Sequence, residues 1–406
     1  MQFDLVVVGG GAAGFYGAIH AATANPSLRI VILEKTQKLL TKVKVSGGGR
    51  CNVTHASRNP FELSRHYPRG EKMLKQTFKA YHAEQVIAWF ASRGVPLKTE
   101  ADGRMFPTTD NSQTIIDCFL NEVERLKIRI EQGAGVTHIT RDDQQFTVRA
   151  ADGRSWAGKS LLVAIGGHNN TEAYHWIRAL GHTVVPPIPS LFTFNDKGGV
   201  FKDLMGIAVP QSEVKIASTK FSERGPLLIT HWGFSGPAVI KLSAWAADLL
   251  HEQKYVFNVR VNWIGETDAN CREQLNAAKA TRGKQKIQGN PLFATPQRLW
   301  VRLCELSEID PTRIWSEVSN RELNRLAEHL LNTTIHVSGK TTFKEEFVTC
   351  GGVDLKEIDP MTLESKLVPG LFFAGEVLNV DGETGGFNFQ AAWSTSYLAA
   401  KSIATK

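Results

Sequence analysis

Three stretches of the 406-residue chain carry residue types and spacings that could do chemistry. Gly9-Gly10-Gly11-Ala12-Ala13-Gly14 is spaced like a pyrophosphate cradle: Gly9 for a tight turn, Gly11 for close backbone approach to phosphate oxygens, Gly14 for tight helix–strand packing. Twenty residues beyond Gly14, Glu34 could accept hydrogen bonds from ribose hydroxyls, with Lys35 beside it. Ser46-Gly47-Gly48-Gly49-Arg50-Cys51-Asn52 sets glycines that permit close ligand approach next to a cation and a thiol. Arg50 and Lys44 could each pair with a phosphate. Cys51 could protonate a carbon after hydride delivery, or simply pack as a small buried side chain. Near the C-terminus, Gly375-Glu376 and Gly385-Gly386-Phe387-Asn388 pair an acid with a glycine-freed helix start. The acid could bond a ribityl or pyrophosphate region, and the helix N–H groups could stabilise negative charge on a reduced isoalloxazine. That combination implies FAD rather than NAD as the tightly bound cofactor. His168, after Gly166-Gly167, is either a general acid or an ordinary loop histidine.

These residues need elements to hold them. Phe3 to Val8 reads as a buried strand, Ala12 to Ala24 as a small-residue helix and Leu28 to Leu33 as a second strand, the context that turns a weak glycine pattern into a strong one. A helix is expected over Lys72–Arg93, a turn at Gly103–Pro107, a helix through Gln113–Leu126 and strands near Ile128–Ile130, Val136–Thr140, Phe146–Ala150 and Ser160–Gly167. Val136 and Gly166, at the margins of two of these strands, complete the expected cofactor set with Ala12 and Ala13. From Pro186 short Pro-punctuated strands take over (Leu191–Asn195, Gly206–Val209, Glu213–Ile216, Leu227–Thr230, Tyr255–Val261), then helical spacing over Asp268–Leu331, then strands at Thr333–Val337 and Glu346–Val348. The predicted class is α/β: a Rossmann-like FAD domain of the two-dinucleotide-binding type (1–188 and 347–406), an inserted β-rich, barrel-like domain (189–266 and 332–346) and a small helical domain (267–331).

Composition excludes several classes. With 42% hydrophobic and 21% charged residues the chain is neither disordered nor fibrous, and no apolar run reaches the roughly 18 residues that span a bilayer, so a cytoplasmic protein is expected. Five scattered cysteines without a Cys-x-x-Cys pair argue for free thiols and against a zinc site; no metal is expected. Net charge is +7, and it is local: from Lys38 to Lys79 ten Lys or Arg face only Glu62 and Glu71. Such a segment is either a solvated face that also neutralises cofactor phosphates, or the footprint of a polyanion such as RNA. His231 and Ser235 do not form a G-x-S-x-G elbow; a strand-to-helix turn with Pro237 opening the helix is the expected reading.

The chain resembles the bacterial BaiN/RdsA-like, or aminoacetone-oxidase-like, family of NAD(P)/FAD-dependent oxidoreductases. Carrying that resemblance are Gly9–Gly14 with Glu34, Ser46–Asn52, Thr230–Ala238, Gly351-Gly352-Val353-Asp354, and Gly375-Glu376 through Gln390. It implies FAD chemistry on a two-dinucleotide-type fold, with activities that include ribosomal RNA dihydrouridine synthesis, bile-acid transformation and aminoacetone oxidation. The chain departs from the family in the shortened loop His168–Glu172. NAD(P)H is the expected electron donor, although no second G-x-G-x-x-G is present. Three functions follow: a reductase that delivers hydride from flavin N5 to uracil in ribosomal RNA, a reductase or oxidase of a small amine, enone or quinone, and an FAD-bearing RNA-binding factor without obligatory turnover.

Overall fold

The first strand, Gln2–Val8, is buried from Leu5 onward because Leu-Val-Val-Val must be covered on both faces, as a parallel sheet requires. In the computed structural model, which describes residues 2–142, 145–341 and 348–406, this strand lies centrally in a seven-stranded sheet. It pairs in parallel with Ile30–Leu33 and with Ser155–Val163. Arg129–Glu131 extends one side, and Leu371–Phe373 joins Ser155–Val163 in parallel on the other. An antiparallel meander, Val136–Arg141 and Phe146–Ala150, also leads into Ser155–Val163. Two helices rich in small residues, Ala12–Ala24 and Phe387–Ala404, carry few long polar side chains and are buried on most faces, so chain start and chain end share one core. Residues 1–190 and 343–406 form one compact unit and 191–342 the other.

In the second unit, strands 333–338, 256–262, 208–216, 222–229, 233–235, 193–195 and 340–341 follow one another in a single antiparallel sheet. Its two edge strands are consecutive in sequence, separated by Gly339 alone, so the sheet curls back on itself as the barrel-like expectation requires. The stretch expected as a separate helical domain, 267–331, forms helices Asp268–Thr281, Gln297–Leu306 and Asn320–Asn332. They do not fold apart: Leu299, Leu303 and Leu326 share one hydrophobic cluster with Val259, Val261 and Trp263 of the sheet region. Pro237 opens a helix after the short strand Gly233–Ser235, as expected.

Other local expectations change. Gly206–Val209 and Glu213–Ile216 are one strand, Ala208–Ile216, with a register shift between Val209 and Ser212. The expected turn at 103–107 becomes strand Arg104–Pro107 from its second residue. Of Glu346–Val348, residues 346 and 347 lie outside the described residues, and Val348 opens strand Val348–Val353. The single helix expected over Lys72–Arg93 is two, Glu71–Ala80 and Ala83–Ala91, broken where Tyr81 turns extended. The Tyr81 ring stacks 3.9 Å from Tyr397 of the last helix and its hydroxyl bonds that of Tyr16, so aromatic burial overrides helix continuation.

His20 packs in that same cluster against Tyr16, Trp89 and Tyr397, and its Nε2 is buried without a partner. Burial, reinforced by Arg93, pushes the imidazole down to about 3. Unfolded, the same ring takes a proton near its ordinary value of about 6.5, so between these values the unfolded chain binds more protons and acid destabilises the fold by roughly 1.4 kcal/mol per pH unit. Urea unfolding at pH 7 and pH 4.5 should therefore differ, and His20→Phe should flatten the difference by about 2–3 kcal/mol. An unchanged acid dependence in the variant would remove His20 from this role.

Candidate active site

At the N-terminal loop the chain needs glycine for two different reasons. A Cβ on Gly14 would lie 1.9 Å from the Gly9 carbonyl oxygen, so this glycine serves helix–loop packing. A Cβ on Gly11 would meet nothing within 4 Å, and Gly11 caps a helix whose N-terminus has no side-chain cap. Open space in front of unpaired N–H groups is what a phosphate requires. Ala12 and Ala13 begin that helix, and Ala13 Cβ abuts Gly375 from the other end of the chain. Glu34 accepts from the Gly10 N–H (2.9 Å, Oε2) and the Thr36 N–H (2.9 Å, Oε1), which fixes the carboxylate yet leaves lone pairs for ribose hydroxyls. Lys35 is exposed next to it, and the Ala134 N–H to Glu34 carbonyl bond (2.8 Å) brings the strand starting at Val136 alongside.

At the other end, Glu376 accepts from the Thr349 N–H (2.8 Å) and pairs with Lys42 (2.7 Å), beside the loop of Gly166 and Gly167. Gly386 caps the final helix at φ +91°, and a Cβ there would strike the Thr54 backbone at 2.6 Å, so the last helix starts in contact with residues 52–54. With its amide oriented to satisfy both neighbours, Asn52 accepts from the Gly386 N–H (3.0 Å) and donates to the Thr54 carbonyl (3.1 Å). Trp393 Nε1 donates to the Val53 carbonyl (2.9 Å). The Ser46–Asn52 motif and the Gly385–Gln390 motif are thereby joined into one wall. Cβ atoms on Gly48 or Gly49 would meet nothing within 4 Å, and the final helix has no side-chain cap, so this wall also faces open space with N–H groups to offer. Gly385 precedes this start, and Asn388 holds it by bonding both the Gly382 N–H (2.8 Å) and its carbonyl (2.9 Å).

Several expected roles move. Cys51 is fully buried in the core, and burial pushes its thiol up to about 12; it is a packed side chain without access to a substrate. His168 donates its backbone N–H to the Tyr174 hydroxyl (3.1 Å), while burial together with Lys35 and Lys42 pushes its imidazole down to about 4. It is neutral at pH 7 and holds no acidic proton of the imidazolium kind. Arg50 pairs with Glu100 (2.6 Å) and lies 3.9 Å over Phe106, so its charge meets protein rather than phosphate. Lys44 is exposed.

The basic segment divides in the same way. Lys42, Arg50 and Arg69 are paired with Glu376, Glu100 and Asp381. Lys38, Lys44, Arg65, Lys72 and Lys79 remain exposed, and Arg65 and Lys75 both sit over the exposed ring of Phe61, at 4.5 and 4.1 Å.

Two pairs escaped sequence reasoning. The Asp381 carboxylate, with no exposed surface, is bound by Arg69 Nε (2.6 Å) and Ser190 Oγ (2.7 Å). Buried Glu383 meets His66 Nδ1 at 3.1 Å, and the His66 ring stacks 4.2 Å from Phe387. Both acids stand in the C-terminal motif, in Asp381-Gly382-Glu383, which was the available signal; their basic partners are more than 300 residues away.

Among the described residues no group of His, Cys, Asp or Glu could hold a metal, and no helix is long and apolar enough to cross a membrane. The model of the HI0933-like protein Rossmann domain matches residues 3–402. The chain is 28% identical over 412 residues to the 3-dehydro-bile acid delta(4,6)-reductase of Clostridium scindens, covering 98% of each protein. It is also 28% identical over 411 residues to the ribosomal RNA dihydrouridine synthase of Escherichia coli, covering 99% of this chain and 98% of that one. In fold it is similar to the 3-ketosteroid-delta4-(5alpha)-dehydrogenase of Rhodococcus jostii, with a TM-score of 0.53, 14% identity, and coverage of 100% of this chain and 97% of the other.

Proposed function

As a member of the HI0933-like Rossmann family the chain is an FAD-dependent oxidoreductase, and from that premise we propose that it reduces a carbon–carbon double bond conjugated to a carbonyl, with uracil in ribosomal RNA as the substrate. The names of the two full-length relatives point to this common chemistry, since a 3-oxo-Δ4,6 steroid and a uracil both present such an alkene. When bound, FAD supplies the hydride from N5, and NAD(P)H is the proposed source of its electrons. Gly9, Gly11, Ala12, Ala13 and Gly14 would receive the pyrophosphate, and Glu34 with Lys35 and Val136 the adenosine. Gly48, Gly49, Gly166, Gly375 and Glu376 would line the ribityl and ring region. Phe387 and Asn388 would aim helix N–H groups at the pyrimidine edge, with Gly385 and Gly386 shaping that helix start, favouring the negative charge that a reduced ring carries.

The observation that favours RNA is the part of the basic segment not held in an ion pair with a carboxylate: Arg65, Lys72, Lys75 and Lys79, with Arg65 and Lys75 set against the exposed Phe61 ring. Cations around an accessible aromatic ring suit a single-stranded polynucleotide. Neutralising those four residues to Gln should lower the slope of log K against log salt by about 2–3 for a single-stranded oligouridylate. Deleting the gene and mapping dihydrouridine in ribosomal RNA tests the substrate directly; if no modified position is lost, the RNA reading fails. The full-length likeness to the bile-acid reductase supports a second reading, a small-enone reductase, which predicts fast flavin reoxidation by a 3-oxo-Δ4,6 steroid and no salt-sensitive RNA binding.

A further inference from the structure

Saturating an alkene conjugated to a carbonyl needs a proton as well as a hydride. Hydride addition to the carbon remote from the carbonyl breaks the π bond and leaves an enolate, whose adjacent carbon must then take one proton. Neither sequence-derived donor is well placed to supply it: Cys51 is sealed in the core, and burial beside Lys35 and Lys42 works against protonation of the His168 ring.

We propose that His66, oriented by Glu383, is the proton donor of this site; the inference rests on the alkene-reductase reading above. The imidazole is placed by two independent contacts. Its Nδ1 is 3.1 Å from Glu383 Oε2, and its face stacks on Phe387 at 4.2 Å and 13° between planes. Phe387 is the first residue of the final helix, at the wall offered to the flavin, so the ring is fixed to the motif it would serve. The backbone reinforces this register, because the Glu383 N–H donates to the His66 carbonyl (2.9 Å) and the adjacent Tyr67 hydroxyl donates to the Phe387 carbonyl (2.6 Å). About a third of the His66 side chain is accessible, against 9% for Glu383. A buried carboxylate engaging Nδ1 of a partly accessible imidazole leaves Nε2 as the nitrogen free to act. The titratable groups against the ring are Glu383 from the C-terminal loop and His55 of the strand Thr54–His55, whose ring lies 5.9 Å away. In the step, the N–H bond at His66 Nε2 breaks and a C–H bond forms at the enolate carbon; the ring gives up one proton, and water restores it.

The test separates flavin reduction from flavin reoxidation. Wild type, His66→Gln and Glu383→Gln are loaded with FAD, bleached anaerobically with dithionite, and mixed with an oligouridylate or a 3-oxo-Δ4,6 steroid over pH 5.5–9. His66→Gln should keep its FAD content and the rate of bleaching, yet reoxidise on substrate about 100-fold or more slowly and with a pH profile unlike that of wild type. Glu383→Gln, which keeps the ring contact without the charge, should show a smaller loss and an altered pH profile. Reoxidation of His66→Gln within threefold of wild type overturns the inference. Loss of FAD from that variant also overturns it, since it assigns His66 to structure. A wild type that neither substrate reoxidises removes the alkene-reductase reading, and the proton donor with it.

Discussion

Gly14→Ala is expected to yield a protein that is purified largely without FAD, although the substitution adds one methyl group to a helix. The new Cβ would sit 1.9 Å from the Gly9 carbonyl oxygen and 3.3 Å from Val7 Cγ1. An ordinary contact is near 3.4 Å or more, and the blocking atom is backbone, so no rotamer change relieves the clash; helix and loop must separate. Overpacking of this kind costs about 1–3 kcal/mol where side chains can yield, and more where they cannot. If the strain is released by moving the N-terminus of the helix, it appears as weaker cofactor binding, ten- to hundred-fold by the same energy. Gly11→Ala provides the contrast. Its Cβ would meet no protein atom within 4 Å, so the apoprotein should unfold in urea like wild type while FAD affinity still drops, because the methyl occupies the space left for the phosphate. FAD-to-protein absorbance ratios and titration of the apoprotein read both variants. Stoichiometric FAD in Gly11→Ala at unaltered affinity would show that the open space is not a cofactor cradle.

The difference between those glycines marks how far sequence can be read. The loop Gly9–Gly14 and the start of the final helix are legible because their demands are local: a strand, a turn and a helix within some fifteen residues, each with its own residue signature. The parallel core strand is legible for the same reason. What fails is decided by partners distant in the chain. Nothing near Tyr81 announces that Tyr397 will take its ring and break a helix, nor does anything around Arg50 point to Glu100. Cys51 admits both a proton donor and a packed thiol from sequence, and it is the core that surrounds it which decides for packing. The helices of 267–331 carry their own amphipathic spacing, and that spacing says that they bury a face without saying against what; the answer is the sheet of the same unit. Even the basic segment, evident as a count, divides into paired and exposed members only once Glu376, Glu100 and Asp381 are located.

Arg69 is the most consequential of the paired members. Its guanidinium is the cation against Asp381, a carboxylate with no exposed surface that Ser190 Oγ also bonds. Burial pushes the Asp381 carboxyl up from the usual carboxylate range, and Arg69 is the chief opposing influence. Arg69→Met removes that influence and leaves a buried charge, a change worth about 3–5 kcal/mol of stability. The sign of the pH dependence follows. With its pKa raised further above the unfolded value, Asp381 binds a proton in the folded variant at a pH where the unfolded chain does not, so the variant is least destabilised in mild acid and loses stability as pH rises toward 8. Urea unfolding of wild type and Arg69→Met at pH 5.5 and pH 8 should therefore show a gap that widens with pH. The double variant Arg69→Met/Asp381→Leu should recover much of the loss, because apolar groups of similar volume need no counter-charge. Equal gaps at the two pH values, or a double variant no more stable than Arg69→Met, would mean that Arg69 contributes packing rather than charge. The consequence reaches the active site, since Asp381-Gly382-Glu383 leads into Gly385-Gly386 and carries the carboxylate that orients His66. Loosening Asp381 should thus slow substrate-dependent flavin reoxidation in Arg69→Met even at a temperature where the variant remains folded.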